Sequence, residues 1–327
     1  MLETLSGIIS NSEVPTSLET VIITKTSSIG YGAFKGCKNL KNIIIPDSVS
    51  NIDSYAFEDC DNLIENESGV FYVGKWVVGF DDSTAIVSIR EGTVGIAEYS
   101  FYYTGKLRSL TLPNSITYIC GSAFVGCSGL QYNLYNNGYY LGNGNNPYLA
   151  LVKLKDNTIS EFDIYTNAKF ILSSAFSGCA NLTNITIPDG VTSIGNHAFY
   201  DCANLTSIAI PYSVTSIGDY AFYGCKNLTS ITIPDGVTSI GHYALSYCSS
   251  LTSVTISDSV TSIGAWAFSS CSTLDFIIIP NSVTSLGGRA FQWCDNLTIK
   301  IEATSMPSGW ASDWNFTGCP VIWGYTE

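Results

Sequence analysis

A 23-residue period runs through most of this 327-residue chain and restricts its fold more than any other feature. Cysteine recurs at that interval. Leucine follows nearly every such cysteine by three residues, and phenylalanine precedes it by three, with Leu245 as the exception. Self-similarity at a fixed period of this length is typical of stacked repeats that contact their neighbours. The longest uninterrupted run is marked by Cys179, Cys202, Cys225, Cys248, Cys271 and Cys294.

One repeat contains short apolar segments in a constant order. Within residues 182–204 the skeleton reads Leu-x-x-Ile-x-Ile-Pro-x-x-Val-x-x-Ile-x-x-x-Ala-Phe-x-x-Cys. The alternating piece before the proline predicts a β-strand that buries both isoleucines, and the proline ends it because it cannot donate to the next ladder bond. The Val-x-x-Ile piece predicts a second extended segment that faces inward. The Ala-Phe-x-x-Cys piece is too short for an α-helix, so we expect one helical or 3₁₀ turn there.

A repeat of this size cannot bury its own isoleucine, leucine and phenylalanine, so neighbouring repeats have to complete the core. The predicted fold is a β-rich or α+β solenoid, a right-handed superhelix with one parallel β-sheet face and short helical or 3₁₀ turns. We predict an N-terminal cap over 1–20, the solenoid over 21–297 and a tryptophan-rich C-terminal cap over 298–327. The period is interrupted over about 65–85 and 131–159, where apolar residues around glycine predict β-hairpin insertions.

The composition favours a folded protein and argues against several partners. Hydrophobic residues make up 46% and charged residues 13%, so the chain can bury a large core. A net charge of -13 would repel phosphate groups, so we expect neither nucleic acid nor an anionic membrane surface as a partner. No run of 18 apolar residues occurs, so we expect no membrane insertion within this chain.

These repeats resemble the BspA-type leucine-rich repeat family. The resemblance rests on units such as Leu-Thr-Ser-Ile-Thr-Ile-Pro-Asp-Gly-Val-Thr-Ser-Ile-Gly-His-Tyr-Ala-Leu-Ser-Tyr-Cys over 228–248, and the tail over 307–325 is similar to the endings of such proteins in gut Firmicutes. The family implies surface or secreted proteins of bacteria and some protists that adhere to host proteins or to other cells. It has no shared catalytic residues to carry over, and both insertions depart from its uninterrupted array.

The resemblance gives the expected function, a cell-surface or secreted protein that binds host or neighbouring-cell proteins, such as host matrix proteins, and is not an enzyme. A carbohydrate-binding surface module and a structural spacer remain alternatives. The start of the chain, Met1-Leu2-Glu3-Thr4, has no basic segment followed by an apolar one. For an extracellular or cell-surface protein we therefore expect that a signal peptide has been removed. The two histidines, His197 and His242, lie outside any Gly-x-Ser-x-Gly elbow.

The cysteines could indicate disulfides, a metal site or buried thiols. No Cys-x-x-Cys pair occurs and two histidines are available, which does not fit zinc-ligand spacing, so we expect no metal and no cofactor. Cysteines at one position of successive repeats form a row, and their parallel Cβ directions are unfavourable for a disulfide. We interpret them as buried thiols that pack as small hydrophobic side chains. The row comprises Cys37, Cys60, Cys127, Cys179, Cys202, Cys225, Cys248, Cys271 and Cys294.

Two sets of outward positions are candidate ligand-binding surfaces. The strand positions are mostly small and uncharged and end in an apolar pair, although β-propensity alone would also explain the threonines. The rings beside the Ala-Phe pair could stack on sugars or hold a peptide, or could shield the core between repeats. The strand face comprises Asn184, Thr186, Ser207, Ala209, Ser230, Thr232, Ser253, Thr255, Phe276 and Ile278. The aromatic row comprises Tyr55, Tyr99, Tyr220, Tyr243 and Trp266.

Overall fold

The computed structural model describes residues 2–6, 15–24, 26 and 28–326, with the backbone alone for 2–6. The chain divides into two compact units. The first unit comprises Met1–Tyr132 and Leu141–Pro147, and the second comprises Asn133–Tyr140 and Tyr148–Glu327. Residues 1 and 7–14 of the predicted N-terminal cap lie outside the described residues. The boundaries of both caps and of the insertions remain predictions.

The described residues form 29 β-strands and no helix. The strands numbered up to β12 are β1 Leu2–Ser6, β2 Thr20–Thr24, β3 Ser28–Ile29, β4 Asn42–Ile44, β5 Asn51–Ile52, β6 Glu65–Glu67, β7 Val70–Val73, β8 Trp76–Phe80, β9 Ile86–Ser88, β10 Gly95–Ile96, β11 Ser109–Thr111 and β12 Tyr118–Ile119. The remaining strands are β13 Asn133–Tyr135, β14 Gly138–Leu141, β15 Ala150–Leu154, β16 Glu161–Asp163, β17 Phe170–Ile171, β18 Asn184–Thr186, β19 Ser193–Ile194, β20 Ser216–Ile217, β21 Ser230–Ile233, β22 Ser239–Ile240, β23 Ser253–Ile256, β24 Ser262–Ile263, β25 Phe276–Ile279, β26 Ser285–Leu286, β27 Thr298–Ile301, β28 Gly309–Trp310 and β29 Val321–Trp323.

Each regular repeat forms one coil with two inward-facing extended pieces, as the apolar pattern predicts. In β21, Ile231 and Ile233 are buried while Ser230 and Thr232 are exposed. This alternation follows from the two-residue period of a strand. In β22, which follows the turn after Pro234, the isoleucine is again buried. The predicted solenoid of parallel strands is therefore confirmed within each unit.

Parallel ladders connect successive coils at both extended pieces. The shorter pieces from β17 to β28 belong to a ten-stranded sheet of order β13-β14-β15-β17-β19-β20-β22-β24-β26-β28, which begins with the strands of the second insertion. The longer first pieces pair in smaller groups, such as β21 with β23 and β25 with β27 and β29. The register places equivalent residues side by side, as with Ile231 opposite Val254 and Ile240 opposite Ile263. The structure therefore has a second parallel ladder, formed by the shorter pieces, in addition to the single parallel sheet face that the pattern predicted.

The Ala-Phe-x-x-Cys segment differs from the predicted helical or 3₁₀ turn. We call it the corner; residues 218–225 form one example. Successive hydrogen-bonded turns build it, and two of its residues have positive φ, 55° at Tyr220 and 73° at Gly224. The N–H groups of Tyr220 and Phe222 donate to the next coil, to the carbonyls of His242 and Ala244, both at 2.8 Å. In a helix these N–H groups would bond along the axis to carbonyls four residues earlier, and bonds to the next coil take the place of those helical bonds.

Phenylalanine rings from successive corners stack in the core. The rings of Phe176, Phe199 and Phe222 lie 4.9 and 5.3 Å apart between centroids and are parallel within 4°. All three side chains are fully buried, and the equivalent position of the next coil holds Leu245. The common interior that the repeat requires is thus a continuous column of side chains drawn from successive coils.

Both interruptions of the period contain the predicted antiparallel hairpins. In the first, β6, β7 and β8 form an antiparallel meander, and β8 then pairs in parallel with β10. The hairpin therefore returns into the sheet and does not only project from it. In the second, β13 and β14 pair in the same antiparallel way.

The tryptophan-rich tail continues the ladders, although its sequence departs from the repeat. β28 pairs in parallel with β26, and β29 pairs with β27. Trp310 and Trp314 are buried, and the Trp310 indole N–H donates to the Val283 carbonyl at 3.0 Å. The tail thus covers the apolar residues of the last regular coil with an irregular coil of its own.

Candidate functional site

The row of cysteines has a structural role that the sequence did not indicate. The thiol of Cys225 donates to the carbonyl of Phe199 in the preceding coil at 3.2 Å, and the Cys248 thiol donates to Phe222 in the same way. The thiols of Cys60, Cys127, Cys202, Cys271 and Cys294 donate to the equivalent carbonyls beside the phenylalanine column. Burial raises the pKa of Cys179 to about 11 and that of Cys248 to about 12.

All eleven cysteines of the chain are free and buried. A buried thiol with a raised pKa carries little thiolate and is a poor nucleophile or metal ligand. Thr104 replaces cysteine in one coil, and its hydroxyl donates to the Cys127 sulfur at 3.3 Å. Within the described residues, no three or more histidine, cysteine or acidic side chains converge as metal ligands.

The predicted strand face lies on outward positions of the second unit. Its small residues are exposed on the first extended piece of each coil, and Ser230 lies opposite Ser253 in the register. Phe276 is 41% exposed and Ile278 is half-buried. The Lys300 ammonium lies 4.3 Å from the centroid of the Phe276 ring, so a cation covers part of the expected apolar anchor.

The part of the predicted aromatic row in the second unit forms a continuous ladder. Tyr220 and Tyr243 lie 4.7 Å apart between ring centroids and are parallel within 7°, and Tyr243 and Trp266 lie 5.6 Å apart within 8°. His197 extends the ladder below Tyr220 at 4.8 Å. Each of these residues has a φ between 54° and 59°. Such a φ is unusual for a bulky side chain, and here it directs the corner N–H groups toward the next coil.

A second set of rings lies beside this ladder. Tyr200 and Tyr223 stack at 4.8 Å, Tyr247 lies 5.2 Å from Tyr223, and Trp293 lies 5.7 Å from Trp266. Tyr247 and Trp293 are 43% and 50% exposed. We call the whole set the aromatic band. It comprises His197, Tyr200, Tyr220, Tyr223, Tyr243, Tyr247, Trp266 and Trp293.

The aromatic band presents ring edges and uncharged polar groups to its surroundings. Burial raises the pKa of Tyr220 and of Tyr223, so their hydroxyls remain protonated at neutral pH, and burial lowers the pKa of His197. The Arg289 guanidinium lies 5.2 Å from the Trp266 ring centroid and is ion-paired with Asp313 at 3.3 Å. Such a surface can bury apolar area and offer hydrogen bonds together.

The other two members of the predicted aromatic row, Tyr55 and Tyr99, belong to the first unit. Tyr55 is 54% exposed and Tyr99 is 41% exposed. Each contacts another tyrosine edge to face, with centroids 5.7 Å apart for Tyr31 and Tyr55 and 5.0 Å apart for Tyr99 and Tyr102. The row members in the second unit thus form a stacked ladder, whereas Tyr55 and Tyr99 in the first unit each contact a tyrosine outside the predicted row. No helix of the described residues is long and apolar enough to cross a membrane.

Comparisons with known proteins match this repeat. The profile described as BspA type leucine rich repeat region (6 copies) matches residues 13–131 and 156–298. A leucine-rich repeat protein from Bacteroides ovatus is 25% identical, with 89% of this chain and 82% of that chain covered and a TM-score of 0.39. A leucine rich cell surface protein from Faecalibacterium prausnitzii is 28% identical, with coverage of 95% and 77% and a TM-score of 0.40. No curated protein matches.

Proposed function

Since the chain belongs to the BspA-type leucine-rich repeat family, we propose that it is a cell-surface or secreted protein that binds a protein ligand, such as a host matrix protein, through the aromatic band. The observation that carries this proposal is the continuity of the band over successive coils. Tyrosine, tryptophan and arginine contribute most of the energy at protein interfaces. The band contains tyrosine and tryptophan, and Arg289 lies against it at Trp266.

The strand face supports binding less well than the band. Its residues from Asn184 to Thr255 are small and offer only weak hydrogen bonds to a partner. Its apolar end at Phe276 is partly occupied by Lys300. We therefore assign the strand face a secondary part at the edge of the interface.

The geometry of the band also favours a protein over a carbohydrate. Sugar rings stack on the open face of an aromatic ring. In the ladder, neighbouring rings cover each other's faces at 4.7 Å for Tyr220 with Tyr243 and 5.6 Å for Tyr243 with Trp266. The edges and hydroxyls that remain suit the mixed apolar and polar surface of a protein.

A binding measurement with purified host matrix proteins tests this function. The variant Tyr247→Ser with Trp293→Ser removes the most exposed rings of the band. Serine tolerates the positive φ, because Ser270 occupies the equivalent position between them at φ 60°. We expect binding at least about tenfold weaker, roughly 1.4 kcal/mol or more, because exposed aromatic anchors are removed.

The control is Tyr212→Ser, which removes a ring that is 78% exposed outside the band. Its affinity should equal that of the unchanged chain. Equal affinity of the double variant and the control would refute the band as the binding surface. Binding to a glycan array in the absence of any protein ligand would favour the carbohydrate function, and no binding to either would favour a spacer.

A further inference from the structure

The corners of the first unit are interrupted at one place. On one side, the N–H groups of Phe34 and Gly36 donate to the carbonyls of Ala56 and Glu58, both at 2.8 Å. On the other side, the Phe101 N–H donates to Ala123 at 2.9 Å. Each regular corner thus directs its N–H groups to the carbonyls of the corner that follows. The corner at 53–60 and the corner at 97–104 are consecutive in this order.

The first insertion lies between these two corners and supplies β6, β7 and β8 without a corner of its own. Within the described residues, the backbone N–H groups of Tyr55, Phe57 and Asp59 have no acceptor. On the facing corner, the carbonyls of Ser100 and Tyr102 have no donor. Unused donors on one side and unused acceptors on the other form the hydrogen-bonding edges of a missing segment.

A cavity of about 290 Å³ lies where that segment is missing. Its walls include Tyr55 and Tyr99, and its floor includes Phe71 and Val78 from the insertion. The two corners meet at one end of the cavity, where the Glu98 N–H donates to the Ile52 carbonyl at 3.0 Å. The gap therefore lies between two corners that a backbone hydrogen bond joins at one end.

The aromatic columns show which part of the missing segment remains unfilled. Phe34 stacks on Phe57 at 5.4 Å, and Phe101 stacks on Phe124 at the same distance. Phe80 from β8 packs on Phe101 at 5.3 Å, whereas Phe57 lines the cavity. At the outer level, where the second unit holds its ladder of rings, Tyr55 and Tyr99 both line the cavity.

We propose that this cavity receives an aromatic side chain from a short segment of the protein ligand that adopts the turn conformation of a corner, and whose backbone carbonyls accept from the N–H groups of Tyr55 and Phe57. The inference rests on the proposed function, because it assigns the protein ligand a second contact. Asp53 and Glu98 also line the cavity, whereas Glu58 is ion-paired with Lys35, so the segment carries a basic residue beside the aromatic one. In the second unit, rings of successive regular corners stack on one another, and a bound segment would place a ring in the same way between Tyr55 and Tyr99.

A labelled peptide tests the proposal directly by fluorescence polarisation with the full chain. The probe is the capped peptide Gly-Lys-Tyr-Ala-Phe-Tyr-Gly-Ser-Lys, which copies residues 218–226 with Asp219→Lys and Cys225→Ser. We expect saturable binding, and at least about tenfold weaker binding of a peptide with serine at all three aromatic positions, because ring burial is lost. Absence of saturable binding, or equal binding of the two peptides, would overturn the proposal.

Two protein variants locate the peptide, with circular dichroism as the check on folding. Tyr99→Ser removes one wall, and serine already holds the equivalent position at Ser174 with φ 59°. Val78→Trp fills the cavity from its floor. Both should abolish peptide binding, whereas Tyr212→Ser, outside both the cavity and the aromatic band, should leave it unchanged. Unaltered binding to either cavity variant would contradict the assignment.

The two proposals fail in different ways. If matrix-protein binding depends on Tyr247 and Trp293 but the peptide does not bind, the cavity proposal alone is wrong. If the peptide binds at Tyr99 but no matrix protein binds, the proposed function is wrong and the cavity remains a peptide site.

Discussion

Replacement of Phe199 by alanine is expected to lower the free energy of unfolding by about 3–5 kcal/mol, because a large cavity opens in a close-packed core. The ring is fully buried and lies between the rings of Phe176 and Phe222 at 4.9 and 5.3 Å. Loss of this ring removes contacts to both neighbouring coils, so the damage spreads along the column. Urea unfolding followed by circular dichroism gives the difference.

Phe199→Leu is the matched control for this change. Leucine occupies the equivalent position at Leu245, where it is also fully buried. The coil therefore accepts leucine, and we expect a loss below about 1.5 kcal/mol. Equal losses for alanine and leucine would contradict a column in which successive coils share their packing.

Introduction of a methyl group at Gly241 is expected to destabilise the second unit by about 1–3 kcal/mol through overpacking. A Cβ atom there would lie 2.5 Å from the Gly218 carbonyl carbon and 2.6 Å from the Asp219 nitrogen. These are backbone atoms of the preceding coil, so no side-chain rotation relieves the contact. Glycine at this repeat position lets neighbouring coils approach closely enough for the hydrogen bonds between corners to form.

Gly144→Ala provides the comparison for Gly241→Ala. A Cβ atom at Gly144 would meet no heavy atom within 4 Å. We expect a change within about 0.5 kcal/mol at this surface position. If thermal unfolding gave the same shift for both variants, close approach of the coils at Gly241 would not be the cause.

The repeat could be predicted because its apolar positions report directly which side chains face inward. Ile231 and Ile233 are buried and Ser230 is exposed, as an alternating strand requires. The hairpins followed from apolar residues around glycine, such as Val70–Val73 before Gly74. The row of cysteines could be predicted from the 23-residue period alone.

The corners could not be predicted, because side-chain patterns do not report where backbone N–H groups point. Ala-Phe-x-x-Cys has helical spacing, but Tyr220 adopts a positive φ and its N–H bonds to the next coil. The donation from the Cys225 thiol to Phe199 depends on the same stacking. The gap at Tyr55 and Tyr99 arises because β8 enters the sheet without a corner, which no local pattern shows.

Deletion of residues 207–229, which is one full 23-residue period, tests the shared interior most directly. Leu205-Thr206 would then join Ser230-Ile231, which preserves the order of inward positions. Circular dichroism and calorimetry should find a folded β-protein with a cooperative transition, whereas removal of only residues 207–218 should abolish that transition. A full-period deletion that unfolds the second unit as completely as the partial one would contradict the account.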